Sequence, residues 1–224
     1  MNNLGVMNEK IYNKYILFNN DDLACPNLVS SKKINDTICD HPIMYIGQET
    51  NGWVNYYNDN ASLEDIENAY DDFMIDCCTS KTTFWRFLKK CIEEDYNNFY
   101  KSIIWCNTLV MGKRYSKGSP KLNDEMVKLS LEYLLFLYEY FEPSYIIDVS
   151  GNCNPYYNIT KEFLNKIGSN IKDYPTKDNF VIIDNNKNIM WTYHPLKLSY
   201  MKKFDDASSK INEYIKMNKI NHKD

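Results

Sequence analysis

The chain has 224 residues and a mass of 26.6 kDa, enough for one domain with a full core and too little for two unrelated domains of ordinary size. Apolar residues make up 44% of it and aromatic residues 15%, which excludes a disordered chain. The net charge of −4 excludes a generally basic nucleic-acid coat protein but is compatible with a local basic face. We therefore expect one folded domain over residues 1–224.

The cysteines and the hydropathy of the sequence indicate in which cellular compartment the protein is expected. The seven cysteines leave one unpaired, no C-x-x-C pair occurs, and there are only three histidines. This pattern favours buried free thiols in a reducing cytoplasm and gives no reason to expect a metal, an iron–sulfur cluster or another cofactor. The longest apolar run, Tyr133 to Tyr138, is too short to span a bilayer, and no signal peptide is recognisable. We expect a soluble cytoplasmic monomer that does not contact membranes.

In chain order, the first half of the sequence predicts a strand, two helices and a second strand. The first strand covers Pro42 to Gly47, and Ser62-Leu-Glu-Asp65 resembles a capping box that begins a helix. A second helix is expected over Thr83 to Tyr96, because its apolar residues recur at helical spacing. The second strand covers Ser102 to Asn107. Both strand segments are apolar through most of their length, as in parallel strands buried on both faces.

The second half continues the alternation. Asn123 is placed to cap a long helix that ends near Tyr140, and a strand follows over Tyr145 to Ser150. A shorter helix over Thr160 to Ile167 is expected to stop at Gly168. The last strand covers Ile189 to His194, and the run Phe180 to Asp184 can pair with it as a hairpin. Strands that alternate with helices indicate an α/β fold.

Polar residues follow the ends of the predicted strands. The exits read Gly47-Gln-Glu-Thr-Asn-Gly-Trp53, Asn107-Thr108, Ser150-Gly151 and His194-Pro195. Ligands bind at the carboxyl ends of the strands in open α/β sheets, so we expect a carboxylate, an amide and an imidazole to converge there. That set of groups suits acid–base or electrostatic catalysis on a hydrogen-bonding ring.

Three of these exits together resemble the uracil-DNA glycosylase superfamily. Gly47-Gln48-Glu49-Thr50-Asn51-Gly52 stands where the best-known branch has Gly-Gln-Asp-Pro-Tyr-His. Cys106-Asn107-Thr108 stands where the family has Leu-Asn-Thr, and His194 to Ser199 stands where it has His-Pro-Ser-Pro-Leu-Ser. With this resemblance, the expected fold is a three-layer α/β/α sandwich with a central, mostly parallel four-stranded sheet.

The resemblance implies a role for each matched residue. Glu49 corresponds to the carboxylate that positions water and stabilises the cationic sugar, and His194 hydrogen-bonds the departing base. Gln48 helps to orient the flipped nucleotide, Asn107 reads the base edge, and Leu198 is the wedge that enters the duplex. Asn51 replaces the tyrosine that excludes C5 substituents, and Trp53 is a candidate for closing the same space. The implied activity is that of a monofunctional glycosylase, which needs no cofactor.

The residue types suit this chemistry. Breaking the bond between a pyrimidine and deoxyribose develops positive charge on the sugar and negative charge on the base. An anion such as Glu49 and a donor such as His194 would stabilise these charges if the fold placed them in advance. A carboxamide at Asn107 carries both a donor and an acceptor with which to read the base.

Two lysine-rich segments suggest DNA as the partner. Residues 107–123 and 185–204 each contain four cations and no acid, and both lie near predicted strand exits. The expected contacts with the DNA backbone are Lys113, Arg114, Lys117, Lys197 and Ser199. Solvated loops of ordinary composition remain the alternative for both segments.

Three functions remain open from the sequence. The first is a DNA glycosylase that releases uracil or a C5-modified pyrimidine, in base-excision repair or in defence against phage DNA. The second is a non-catalytic nucleic-acid-binding protein with the glycosylase fold, since Glu49 is one methylene longer than the family's aspartate. The third is a hydrolase of small nucleosides, which would need neither the basic segments nor a wedge.

Overall fold

The fold is built around one five-stranded sheet. The computed structural model describes residues 3–18, 22–31, 38–50, 61–77, 79–93, 99–114 and 118–221. Within them, β1 (Ile43–Gly47), β2 (Ile103–Asn107), β3 (Tyr145–Asp148), β4 (Val181–Asp184) and β5 (Ile189–Thr192) form a sheet in the order β2-β1-β3-β5-β4. The first four strands in this order are parallel, and β4 is antiparallel to β5. The sheet therefore has five strands rather than the four predicted, because residues 181–184 pair with β5 as the hairpin that the sequence allowed.

Burial explains the apolar strand sequences. Every residue of β1, β2, β3 and β5 is buried, so these strands show no alternation of polar and apolar residues. Gly47 of β1 pairs with Asn107 of β2, and Ile46 pairs with Asp148 of β3. This register brings the polar exits of the parallel strands to the same edge of the sheet.

Seven α-helices lie within the described residues. Each begins and ends as follows: α1 Asn3–Phe18, α2 Leu63–Asp76, α3 Thr83–Ile92, α4 Asp124–Phe141, α5 Tyr156–Lys166, α6 Pro195–Tyr200 and α7 Phe204–Asn221. None of them is long and apolar enough to cross a membrane. Of these, α1, α6 and α7 were not predicted from the sequence.

The helix ends test the capping predictions. Ser62 and Asp65 form the predicted capping box, and the side chain of Asn123 accepts a hydrogen bond from the Met126 amide at the start of α4. Helix α3 is shorter than predicted, because Glu93 adopts a left-handed conformation after Ile92. Helix α5 begins four residues before Thr160, and Gly168 follows its end with φ of +74°, as expected of a helix-terminating glycine.

The helices pack in two groups. Helix α3 packs against α6 and α7, while α4 packs against α5 and α1. With the sheet, this arrangement is compatible with a three-layer α/β/α sandwich. Its hydrophobic core draws on all five strands and on helices of both groups.

Strand β2 lies at one edge of the described sheet. There the Tyr70 hydroxyl of α2 donates to the carbonyl of Trp105 and accepts from its amide, both at 3.0 Å. One side chain thus satisfies the outward-facing backbone groups at the middle of this strand.

Candidate active site

The parallel strands end together at one edge of the sheet. The residues that follow them are Thr108 after β2, Gln48 after β1, Val149 after β3 and Tyr193 after β5. Strand order puts β1 and β3 in the middle, so the loop after β1 lies between the exits of β2 and β3. This edge is where a doubly wound sheet binds its ligand.

The junction of β1 and β2 is tightly packed and polar. The carbonyl of Gly47 accepts hydrogen bonds from the Thr108 amide at 3.0 Å and from its hydroxyl at 2.9 Å. A Cβ atom on Gly47 would lie 2.5 Å from Oδ1 of Asn107, so a larger residue here would displace the Asn107 amide. The Asn107 side chain therefore lies against the β1 backbone. Its Nδ2 atom is buried and finds no hydrogen-bond partner among the described residues.

Phe84 links this junction to β5. It lies in the first turn of α3, and its ring atom Cζ would be 3.2 Å from a Cβ on Gly47. The same ring stacks on His194, with centroids 5.9 Å apart and planes inclined by 26°. The sequence analysis missed Phe84, because it stands among the apolar residues of a helix and looks like core. An aromatic ring between a carboxamide and an imidazole suits a flat heterocycle.

His194 is held as a neutral imidazole. It caps α6, where its Nδ1 accepts a hydrogen bond from the Leu196 amide at 3.3 Å. Burial lowers its pKa from 6.5 to about 4. This hydrogen bond assigns the proton to Nε2, so the ring is a neutral donor at physiological pH.

Glu49 is a partly buried carboxylate with one oxygen left over. The Gly118 amide donates to Oε1 at 3.2 Å, while Oε2 is buried without a hydrogen-bond partner among the described residues. Burial raises the pKa of Glu49, and interactions with the Tyr156 hydroxyl and the Gly118 amide lower it in part. The Tyr156 hydroxyl acts on the same carboxylate, which is therefore oriented by its surroundings, and Oε2 has no partner within hydrogen-bond geometry among the described residues.

The backbone of the loop that carries Glu49 is also held in place. A Cβ on Gly112 would lie 2.0 Å from the carbonyl oxygen of Thr50, so only glycine allows this approach. The Leu109 amide also donates to the Gln48 carbonyl at 2.9 Å. The residues before and after Glu49 are therefore both held against the loop that follows β2.

No protein-family model matches this sequence, and neither does any curated protein. What the chain does must therefore be inferred from its own residues.

Gln48 connects the loop after β1 to the end of β3. Its Nε2 donates to the Ser150 carbonyl at 2.8 Å, and the Ser150 amide donates to Oδ1 of Asp148 at 2.7 Å. Burial raises the pKa of Asp148 to about 6, against hydrogen bonds from Ser150 and Thr160 that lower it. Asp148 was not singled out from the sequence, although an acid within the apolar segment Tyr145 to Ser150 is a visible signal.

The structure corrects the expectation for Leu198. This side chain is 0% exposed and belongs to the core, so it cannot enter a duplex without leaving its packing. The exposed apolar residues of α6 are Leu196, at 42%, and Tyr200, at 79%. They stand four residues apart and therefore share one face of the helix.

The expected DNA-contacting residues differ in accessibility. Lys197 is exposed, with its Nζ 4.1 Å from the centre of the Tyr193 ring, and Ser199 donates to the Pro195 carbonyl at 3.1 Å. Lys113 is half-buried, and Arg114 is buried at 9% exposure. Arg114 would have to turn outward before it could reach a phosphate.

Three of the expected site residues, Asn51, Trp53 and Lys117, lie outside the described residues. Within the ranges given above, no three His, Cys, Asp or Glu side chains gather in a way that could hold a metal ion.

Proposed function

We propose that this chain is a DNA glycosylase of the uracil-DNA glycosylase type, with the corresponding three-layer fold. It flips a pyrimidine out of DNA and hydrolyses the N-glycosidic bond, leaving an abasic site. The observation that carries the proposal is the pair of buried atoms Glu49 Oε2 and Asn107 Nδ2, which lack hydrogen-bond partners within the described residues. Buried polar groups without partners are costly, and a ligand that satisfies both accounts for them.

In this proposal one group answers each of the two charges that develop in the reaction. Glu49, when ionised, stabilises positive charge on the sugar and accepts a proton from the attacking water. His194 donates through Nε2–H to the carbonyl oxygen of the base, which leaves with the electrons of the glycosidic bond. A neutral donor suits this step. An imidazolium would either transfer its proton to the departing base anion or hold that anion so tightly that its release would be slow.

Recognition of the flipped base falls to Asn107 and Phe84. The Phe84 ring, beside both Gly47 and His194, offers a stacking surface. The free Nδ2 of Asn107 offers a donor to an acceptor on the pyrimidine edge. In place of Leu198, the exposed residues Leu196 and Tyr200 supply the apolar surface that enters the duplex.

The substrate prediction concerns the C5 position of the pyrimidine. Asn51 and Gly52 replace the tyrosine and histidine of the resembled motif, which removes large rings from the wall that excludes C5 substituents. We therefore infer that the site accepts a C5-modified pyrimidine at least as well as uracil. Defence against phage DNA that carries modified cytosine is the role that fits this preference, with base-excision repair as the role for uracil.

The test is an incubation of the protein with labelled duplexes that contain uracil or a C5-modified cytosine, followed by alkaline cleavage of abasic sites. Wild type should release the modified base, and Glu49→Gln should retain DNA binding while losing at least about a hundredfold in the rate of base release. The glutamine keeps the shape of the side chain and removes its charge. Glu9→Gln, on the exposed side of α1, is the matched control and should cut at the wild-type rate.

The outcomes separate the three functions. Tight binding without cleavage of any duplex would favour the non-catalytic binding protein. Release of base from free nucleosides, with no preference for DNA, would favour the nucleoside hydrolase. Cleavage at the wild-type rate by Glu49→Gln would remove Glu49 from the mechanism.

A further inference from the structure

A chain of hydrogen bonds runs from the candidate site into the core. Gln48 Nε2 donates to the Ser150 carbonyl, and the Ser150 amide donates to Asp148 Oδ1. On the other side of the carboxyl group, the Thr160 hydroxyl donates to Oδ2 at 3.1 Å and lies 3.0 Å from the Ser150 hydroxyl. Both oxygens of Asp148 are therefore engaged, and Ser150 is held through both its amide and its carbonyl.

Asp148 is a buried acid whose neighbours in the sheet are uncharged. It is 1% exposed, and its cross-strand neighbours Ile46 and Trp191 carry no charge. Ser150 and Thr160 are buried hydroxyls. Among the described residues, the titratable group that interacts electrostatically with it is the Cys106 thiol, whose pKa is raised mainly by burial and further by Asp148. An acid buried without a cation is costly, so stability alone does not account for Asp148.

We propose that Asp148 is a positioning residue, which acts through the Ser150 peptide to hold the Gln48 side chain and the loop after β1 in place. This inference rests on the proposed function, because it assigns Asp148 to the site where Gln48 orients the flipped nucleotide. Loss of the proton from Asp148 strengthens its hydrogen bond with the Ser150 amide, since a charged acceptor binds a donor more strongly than a neutral one. The Ser150 carbonyl belongs to the next peptide, so the effect reaches Gln48 through the position of Ser150.

The sequence offers an unusually direct probe of this coupling. Gln48 is the only glutamine in the chain, so labelling with side-chain ¹⁵N-glutamine gives a single amide signal. In wild type, the chemical shift of this amide should titrate with a midpoint near pH 6, where Asp148 changes charge. The part of the titration near pH 6 should disappear in Asp148→Asn, which keeps the shape of the side chain. Any titration that remains is assigned to the neighbouring Glu49, whose pKa is also raised by burial.

Two further variants make the test specific. Thr160→Val removes a hydrogen bond that lowers the pKa of Asp148, so the midpoint should move to higher pH. Asp184→Asn is the matched control, since Asp184 is also a buried aspartate at the end of a strand. Its partners are Ser169, Asn170 and Asn186, and the Gln48 titration should survive its loss.

The readouts separate this inference from the proposed function. A Gln48 amide that does not titrate near pH 6, or that titrates unchanged in Asp148→Asn, overturns the positioning role whether or not the protein cuts DNA. If the coupling is present but wild type cuts no substrate, the proposed function fails and the positioning role stands. In an active enzyme, Asp148→Asn should lose on the order of tenfold in kcat, with KM little changed, through misplacement of the loop. An unchanged kcat would overturn the role of Asp148 in the reaction.

Discussion

Because His194 is held neutral in the folded protein, the free energy of unfolding should fall as the pH is lowered. The side chain can be replaced by asparagine, which is among the best helix-capping residues and can accept the hydrogen bond from the Leu196 amide that His194 now accepts. His194→Asn therefore removes the titratable ring while it preserves the start of α6. The variant should fold at neutral pH.

The magnitude follows from the pKa of His194, which burial lowers from 6.5 to about 4. In the unfolded chain the ring takes up a proton below pH 6.5, whereas in the folded protein it does so only near pH 4. Stability from this group is thus fully present above pH 6.5 and is lost as the pH falls towards 4. At about 1.4 kcal/mol per pKa unit, the loss is about 3 kcal/mol.

Urea unfolding followed by the fluorescence of the four tryptophans measures this loss. The free energy of unfolding of wild type minus that of His194→Asn should decrease by about 3 kcal/mol between pH 7.5 and pH 4. Subtraction removes the contributions of other groups, including Asp148. His41→Asn is the control, because His41 is exposed and has a φ of +55° that asparagine tolerates. A difference between wild type and His194→Asn that does not change with pH would refute the burial of a neutral imidazole.

Three further predictions concern the reaction itself. Tyr156→Phe removes an interaction that lowers the pKa of Glu49, so the acid limb of the pH–rate profile should move to higher pH, whereas Tyr157→Phe should leave it in place. If both variants give the same pH–rate profile, Tyr156 does not lower the pKa of Glu49. Lys113→Glu combined with Lys197→Glu should weaken DNA binding and reduce the slope of log affinity against log salt by about two. Lys187 lies in the turn before β5, at the end of that strand away from the candidate site, so Lys187→Glu should change neither the affinity nor the salt slope. Equal salt slopes for wild type, the double variant and Lys187→Glu would show that DNA binds elsewhere. Asn51→Tyr should reduce cleavage at a bulky C5-modified cytosine more than cleavage at uracil, in a competition between the two duplexes. A variant that keeps the wild-type preference would contradict the assignment of Asn51 to the C5 wall.

Strands and capped helices could be predicted because their signals are local. Buried parallel strands need continuous apolar runs, and the segments that end at Gly47 and Asn107 have them. The capping box at Ser62 and the cap at Asn123 depend only on neighbouring backbone amides. Helix α1 was not predicted, although Leu4, Met7 and Ile11 stand at helical spacing, because apolar residues such as Val6 and Leu17 also occupy its exposed side.

The candidate site was predictable only in part, because its partners are distant in sequence. The positions of Glu49, Asn107 and His194 at strand exits followed from the strands alone. The contributions of Phe84 and Tyr156 depend on how α3 and α5 pack, which periodicity does not specify. Leu198 was assigned to the site although it does not face it. Its place in the motif favoured an exposed wedge, but Leu198 lies on the buried side of α6.

The Tyr70 hydroxyl has a consequence for how this protein meets other chains. Edge strands with open backbone groups are templates on which a second chain can add a strand and so begin to aggregate. At Trp105 both outward backbone groups are already satisfied by Tyr70, so an incoming strand would have to displace that side chain before it could pair there. Copies of this protein that crowd together are therefore expected to meet through side chains rather than by extending one another's sheets along β2.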